Sequence, residues 1–132
     1  MLAASLLALA VLNTANADDV KILSADFHNS GDELWSVKVT LKHDDSGWEH
    51  YADNWRVVDD EGNILGDRIL HHPHVDEQPF TRGLGGVNIP KDMTIVYIEA
   101  HDKVHGWTSS RLKVDLSNAT DGRLRIEMEQ AF

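Results

Sequence analysis

Eight histidines occur in the 132-residue chain, at positions 28, 43, 50, 71, 72, 74, 101 and 105. Five of them fall in two short segments, Leu70-His71-His72-Pro73-His74 and His101-Asp102-Lys103-Val104-His105. Neutral imidazole is a common ligand for divalent transition metals and predominates at neutral pH. Spacing decides which rings could share one ion. Successive side chains of an extended chain point to opposite faces, so His71 and His72 diverge. His72 and His74 fall on the same side, about 6–7 Å apart at Cα. Pro73 fixes its own φ and biases His72 towards extended geometry. His101 and His105 have the spacing of an HExxH helix, but a β-rich run precedes them and Gly106 follows. A metalloprotease is therefore rejected. In a loop the two rings can still converge. The pattern points to Cu(II) or zinc held by His72, His74, His101 and His105, with Asp76, Glu77 or Asp102 as oxygen donors. The plainer reading is that these histidines are polar loop residues paired with the many carboxylates.

A second group is Trp48-Glu49-His50-Tyr51-Ala52-Asp53-Asn54-Trp55. Two Trp and a Tyr among polar groups suit recognition of a sugar, a peptide or an envelope protein. The alternative site is therefore Trp48 and Tyr51, joined by Trp107 from the loop that carries His105. Trp55 reads as core. Signatures of catalysis are lacking: there is no G-x-S-x-G, no phosphate loop and no dinucleotide fingerprint. The expectation is a protein that binds and does not catalyse.

Composition narrows the classes further. Twelve basic and 22 acidic residues give a net charge of −10. That balance repels nucleic acid and anionic lipid. There is no cysteine, which removes disulfide frameworks, thiolate zinc sites and blue-copper centres. Cu(I) would want sulfur, and beyond residue 17 the chain offers only Met93 and Met128.

The elements that must position these residues follow from periodicity. Leu2 to Leu12 is an apolar run too short to span a bilayer, and Ala15-Asn16-Ala17 fits a signal-peptidase site before Asp18-Asp19. The expectation is a signal peptide over 1–17, a single domain over 18–132, and a periplasmic or secreted location. No other stretch is long enough to insert in a membrane. Within the domain the dominant period is two. Trp35, Val37, Val39 and Leu41 alternate with Ser36, Lys38, Thr40 and Lys42, the mark of a half-buried strand. Further strands are expected at 20–27, 55–58, 64–71, 78–84, 94–101 and 111–116. Gly83-Leu84-Gly85-Gly86 reads as a turn and 102–108 as a loop. Leu124, Ile126 and Met128 suggest a last strand, with a short helix or tail as the alternative. Seven or eight strands with turns every 8–12 residues imply an all-β, antiparallel sandwich of immunoglobulin or fibronectin type III kind.

Three stretches carry a resemblance: Trp48-Glu49-His50-Tyr51-Ala52-Asp53 with Trp55, His72-Pro73-His74-Val75-Asp76-Glu77-Gln78-Pro79-Phe80-Thr81-Arg82, and Ala100-His101-Asp102-Lys103-Val104-His105-Gly106. Together they resemble a group of small exported bacterial proteins of unknown function. The resemblance implies export and a compact β-domain, and it carries over no functional residues.

Overall fold

The computed structural model describes residues 19–128. The expected leader over 1–17 lies outside the described residues, as do Asp18 and the last four residues. The described chain is all-β, in two antiparallel sheets. Its strands are β1 (Lys21–Gly31), β2 (Leu34–Lys42), β3 (Ala52–Val58), β4 (Ile64–Ile69), β5 (Phe80–Asn88), β6 (Ile95–Asp102), β7 (Gly106–Trp107), β8 (Leu112–Asp115) and β9 (Arg123–Glu127). One sheet has the order β5-β2-β1-β9. In the other, β4 and β3 lead to β6, whose far side pairs with β7 and β8.

Alternation builds the core between the sheets. Phe27, Val37, Val39 and Leu41 from the first sheet meet Trp55, Val57, Val96, Ile98, Ala100 and Val114 from the second. All of these are essentially inaccessible to solvent. The clearest sequence periodicity, over 35–42, is β2, a central strand flanked by β1 and β5. The last alternating segment is a strand: β9 pairs with β1, with Ala25 opposite Ile126 and Phe27 opposite Leu124.

Two expectations need correction. The glycines at 83, 85 and 86 do not turn the chain; β5 runs through them. Pairing with β2 shifts register between Trp35 and Val37, where Val87 and Leu84 are their partners. Gly85 and Gly86 lie in that irregularity, and Gly86 has a φ of +67°, so these residues serve a bulge inside a strand. Nor is 102–108 an open loop. It is a tight hairpin in which Gly106 and Trp107 pair back onto Asp102 and His101.

At one end of the sheets the inward-facing positions change chemistry. Beyond β2 the alternation continues, with His43 and Asp45 buried and Lys42 and Asp44 exposed. On β6 the buried series Val96, Ile98, Ala100 ends in Asp102. Imidazoles and carboxylates therefore occupy positions that hold aliphatic side chains further along.

Candidate metal centre

The site is built around His43. Its Nδ1 lies 2.6 Å from Asp45 Oδ1, with both side chains almost completely buried. Asp45 also accepts hydrogen bonds from the backbone N–H of Ala52, at 2.9 Å on Oδ1, and of His74, at 2.8 Å on Oδ2. A proton on His43 Nδ1 donates to this carboxylate and leaves the Nε2 lone pair free. Nε2 is buried and has no hydrogen-bond partner among the described residues.

His50 faces it. The two rings meet edge-on with centroids 4.7 Å apart. His50 is placed by a tight turn in which Ser46 N–H donates to His50 O and His50 N–H donates to Gly47 O. Its Nε2 is likewise buried without a hydrogen bond, 3.3 Å from Asp102 Oδ1. His43, His50 and Asp102 each present a ligand atom within 4.8 Å of the other two.

Asp102 closes the group from the end of β6. Its Oδ1 accepts from the backbone N–H of Val104 at 2.9 Å and of His105 at 2.7 Å. The His105 imidazole lies beside the same carboxylate, with Nδ1 at 3.1 Å and 3.3 Å from its two oxygens. Burial pushes the Asp102 pKa up. The backbone donors of His105 and Val104, with the His105 ring, outweigh it and hold the group below the usual carboxylate range. Asp102 is therefore an anion at neutral pH.

The expected ligands are distributed over three surroundings. His105 lies in this centre, its ring 5.1 Å from that of His50. His72 and His74 are adjacent, with ring centroids 4.7 Å apart, but His74 Nε2 is 2.8 Å from an Arg82 guanidinium nitrogen. Arginine only donates, so Nε2 is the acceptor and its lone pair is occupied. Burial, followed by the charges of Arg82 and His72, holds the His74 pKa down. Its ring stacks on Phe80 at 4.0 Å, and it is tied to the centre through Asp45 and through Gln78, whose side chain accepts from the His43 N–H and donates to the His74 carbonyl. His101 points to the outer face of β6, with Nδ1 2.5 Å from Asp53 Oδ1 and its ring against Trp107. Among the described residues, the groups that bring three metal-type ligands together include neither His72, His74 nor His101.

The alternative binding residues have these surroundings. Trp48 is 65% exposed and rests edge-on against the buried Tyr51. Trp107 is covered on one face by Arg56, whose guanidinium carbon is 3.5 Å from the ring centroid.

Sequence reasoning passed over His43, His50 and Asp45. For His43 and Asp45 a signal existed: the two-residue period of β2, carried past Leu41, puts both on the core face. The same count on β6 puts Asp102 inward and His101 outward. His50 has no such signal, because its position depends on the turn after Ser46.

No protein-family model matches the chain, and no solved structure matches it. A protein of Halomicrobium mukohataei named "Putative lipoprotein" is 38% identical over 104 residues, which is 79% of this chain and 48% of the relative. The chain thus spans about half the length of that relative.

Proposed function

We propose that this chain is an exported, non-enzymatic β-domain of immunoglobulin or fibronectin type III kind that binds a divalent transition metal. The ion is zinc or Cu(II), and His43, His50 and Asp102 hold it. One observation carries the reading: two imidazole Nε2 atoms, both buried and both without a hydrogen bond among the described residues, lie close to one buried carboxylate, Asp102. A buried polar atom left unpaired costs about 1–3 kcal/mol. A cation between these atoms would satisfy both lone pairs. The Asp45–His43 pair has the form of the carboxylate–histidine–metal arrangement, which fixes the tautomer and raises ligand basicity. Two nitrogens and an oxygen are donors that suit zinc and Cu(II). Export is supported by the apolar leader read from the sequence and by the name of the relative.

The test is equilibrium dialysis of the full chain against Zn(II) and Cu(II). Wild type should retain metal, while His43→Ala and His50→Ala should not, with circular dichroism confirming that each variant is folded. Failure of wild type to retain either ion rejects the proposal.

A further inference from the structure

Among the described residues, the ligand atoms at this end of the molecule fall into two groups, not one. His43, His50 and Asp102 form the first, and Asp19, Asp102 and His105 form the second, each with its atoms within 4.8 Å of one another. Asp102 belongs to both. We infer that the centre is dinuclear, with Asp19 and His105 forming an outer subsite for a second divalent transition metal and Asp102 bridging the two ions. The inference rests on the metal-binding reading above, since it shares that reading's carboxylate.

Three features support it. The first is the bridge. A carboxylate has two oxygens and about four lone-pair positions. Asp102 is held rigidly by the backbone donors of Val104 and His105, both on Oδ1, and among the described residues no backbone hydrogen bond is found on Oδ2. Bridged ions typically lie about 3.5–4 Å apart. The rings of His50 and His105, one from each group, are 5.1 Å apart, so the two subsites are neighbours.

The second feature is charge. The inner group supplies one carboxylate and two imidazole rings. A second divalent cation beside it would meet repulsion that Asp102 alone cannot offset. Asp19 brings a second carboxylate on the outer side, where it is needed. The third feature is placement. Asp19 immediately precedes Val20, whose side chain is 5% exposed and belongs to the core, and β1 begins at Lys21. Asp19 is thus anchored by a buried neighbour. Access differs accordingly: the His43 side chain is 1% exposed and that of His105 is 33%. The inner ion should exchange slowly and the outer one readily.

The test is titration of the full chain with Cu(II), followed by calorimetry and electron paramagnetic resonance. Wild type should take up two equivalents, the second weakening the resonance of the first by spin coupling through Asp102. Asp19→Asn and His105→Ala should weaken the second equivalent by about 10- to 100-fold, the range for a disturbed metal site. In Asp19→Asn the first equivalent should keep its affinity and an undiminished resonance. One equivalent in wild type, unaltered by Asp19→Asn, overturns the dinuclear centre but leaves the inner site standing. Two equivalents that persist in both variants also overturn it. No uptake by wild type defeats this inference and the function proposed above together.

Discussion

The Nδ1 atom of His43 and the Oδ1 atom of Asp45 lie 2.6 Å apart in a region closed to solvent. Through this contact a residue that touches no metal sets the ring orientation of one that would. The same carboxylate accepts from the backbone of His74 and Ala52, so it also ties the 70–79 loop to the end of β2. Asp45→Asn separates these duties. Its carbonyl can still accept from His43 and Ala52, but its NH2 then faces the His74 N–H, donor against donor. One unsatisfied buried donor costs about 1–3 kcal/mol. A less basic partner for His43 should weaken metal binding by about tenfold. Urea denaturation without metal and dialysis with Zn(II) measure the two effects separately. Unchanged affinity would show that Asp45 only organises loops.

Metal should also stabilise the fold, because the ligands come from distant parts of the chain. His43 follows β2, His50 lies in the next turn and Asp102 ends β6. The unfolded chain does not bring them together. Linkage then gives about 2.7 kcal/mol of added stability at a free metal concentration of 100 Kd. Thermal unfolding with and without Zn(II), reversed by a chelator, reads this out. His50→Ala should show no metal-dependent shift.

Of the histidines most conspicuous in the sequence, His72 and His74 should matter less than His43 and His50. His72 is exposed, and the lone pair of His74 is taken by Arg82. His72→Ala should therefore leave Zn(II) uptake unchanged and stability within about 0.5 kcal/mol, as for an ordinary surface change. If His72→Ala instead abolishes uptake, the ion sits beside the 70–79 loop and the His43 assignment fails.

How far this was legible in the sequence depends on what kind of signal each part carries. Strands β1, β2, β6 and β8 announce themselves by a period of two, because one face is core and the other is not. The glycines of β5 misled for a definite reason. Glycine marks both turns and bulges, and only the partner strand decides between them. Asp102 and His43 could be placed inward by counting along β6 and β2, but their convergence is a long-range property of how the sheets stack. The pairing of His74 with Arg82 is eight residues apart in sequence and crosses from a loop onto β5. No local pattern reveals that a guanidinium has already filled the lone pair.

Acid should expose the β3–β4 turn through Asp59. Its carboxylate accepts from the backbone N–H groups of Glu61 and Asn63 and from the Asn63 side-chain amide. The Asn63 side chain is the main cause that holds its pKa below the ordinary value of 3.8. A group depressed in the folded state contributes stability that is complete above its unfolded pKa and is lost as pH falls through the folded one. The loss therefore begins near pH 3.8 and continues below it. Asp59→Asn keeps one acceptor for the turn and removes the titration. Urea midpoints followed from pH 6 to pH 2 should fall more steeply for wild type than for the variant. Parallel curves would show that the turn does not contribute to acid sensitivity.

Gly66 offers a test of how tightly β4 is stacked on β5. It pairs with Val57 inside β4, and a Cβ built there would lie 3.0 Å from Leu84 Cδ2 and 3.1 Å from Val87 Cγ2. Leu84 is only partly buried and can swing away. Val87 is 2% exposed and β-branched, so its methyl groups have few other rotamers to occupy. Two effects compete in Gly66→Ala. Loss of glycine's unfolded-state freedom favours the variant by about 0.4–1 kcal/mol, while overpacking costs about 1–3 kcal/mol. Because the stiffer neighbour is the buried one, overpacking should win, for a net loss of about 1 kcal/mol. Gly66→Ala combined with Val87→Ala should reveal the contact as non-additivity: the double variant should be more stable than the sum of the two single losses implies. Strict additivity would mean that the sheets yield at this edge and that Val87 does not confine position 66.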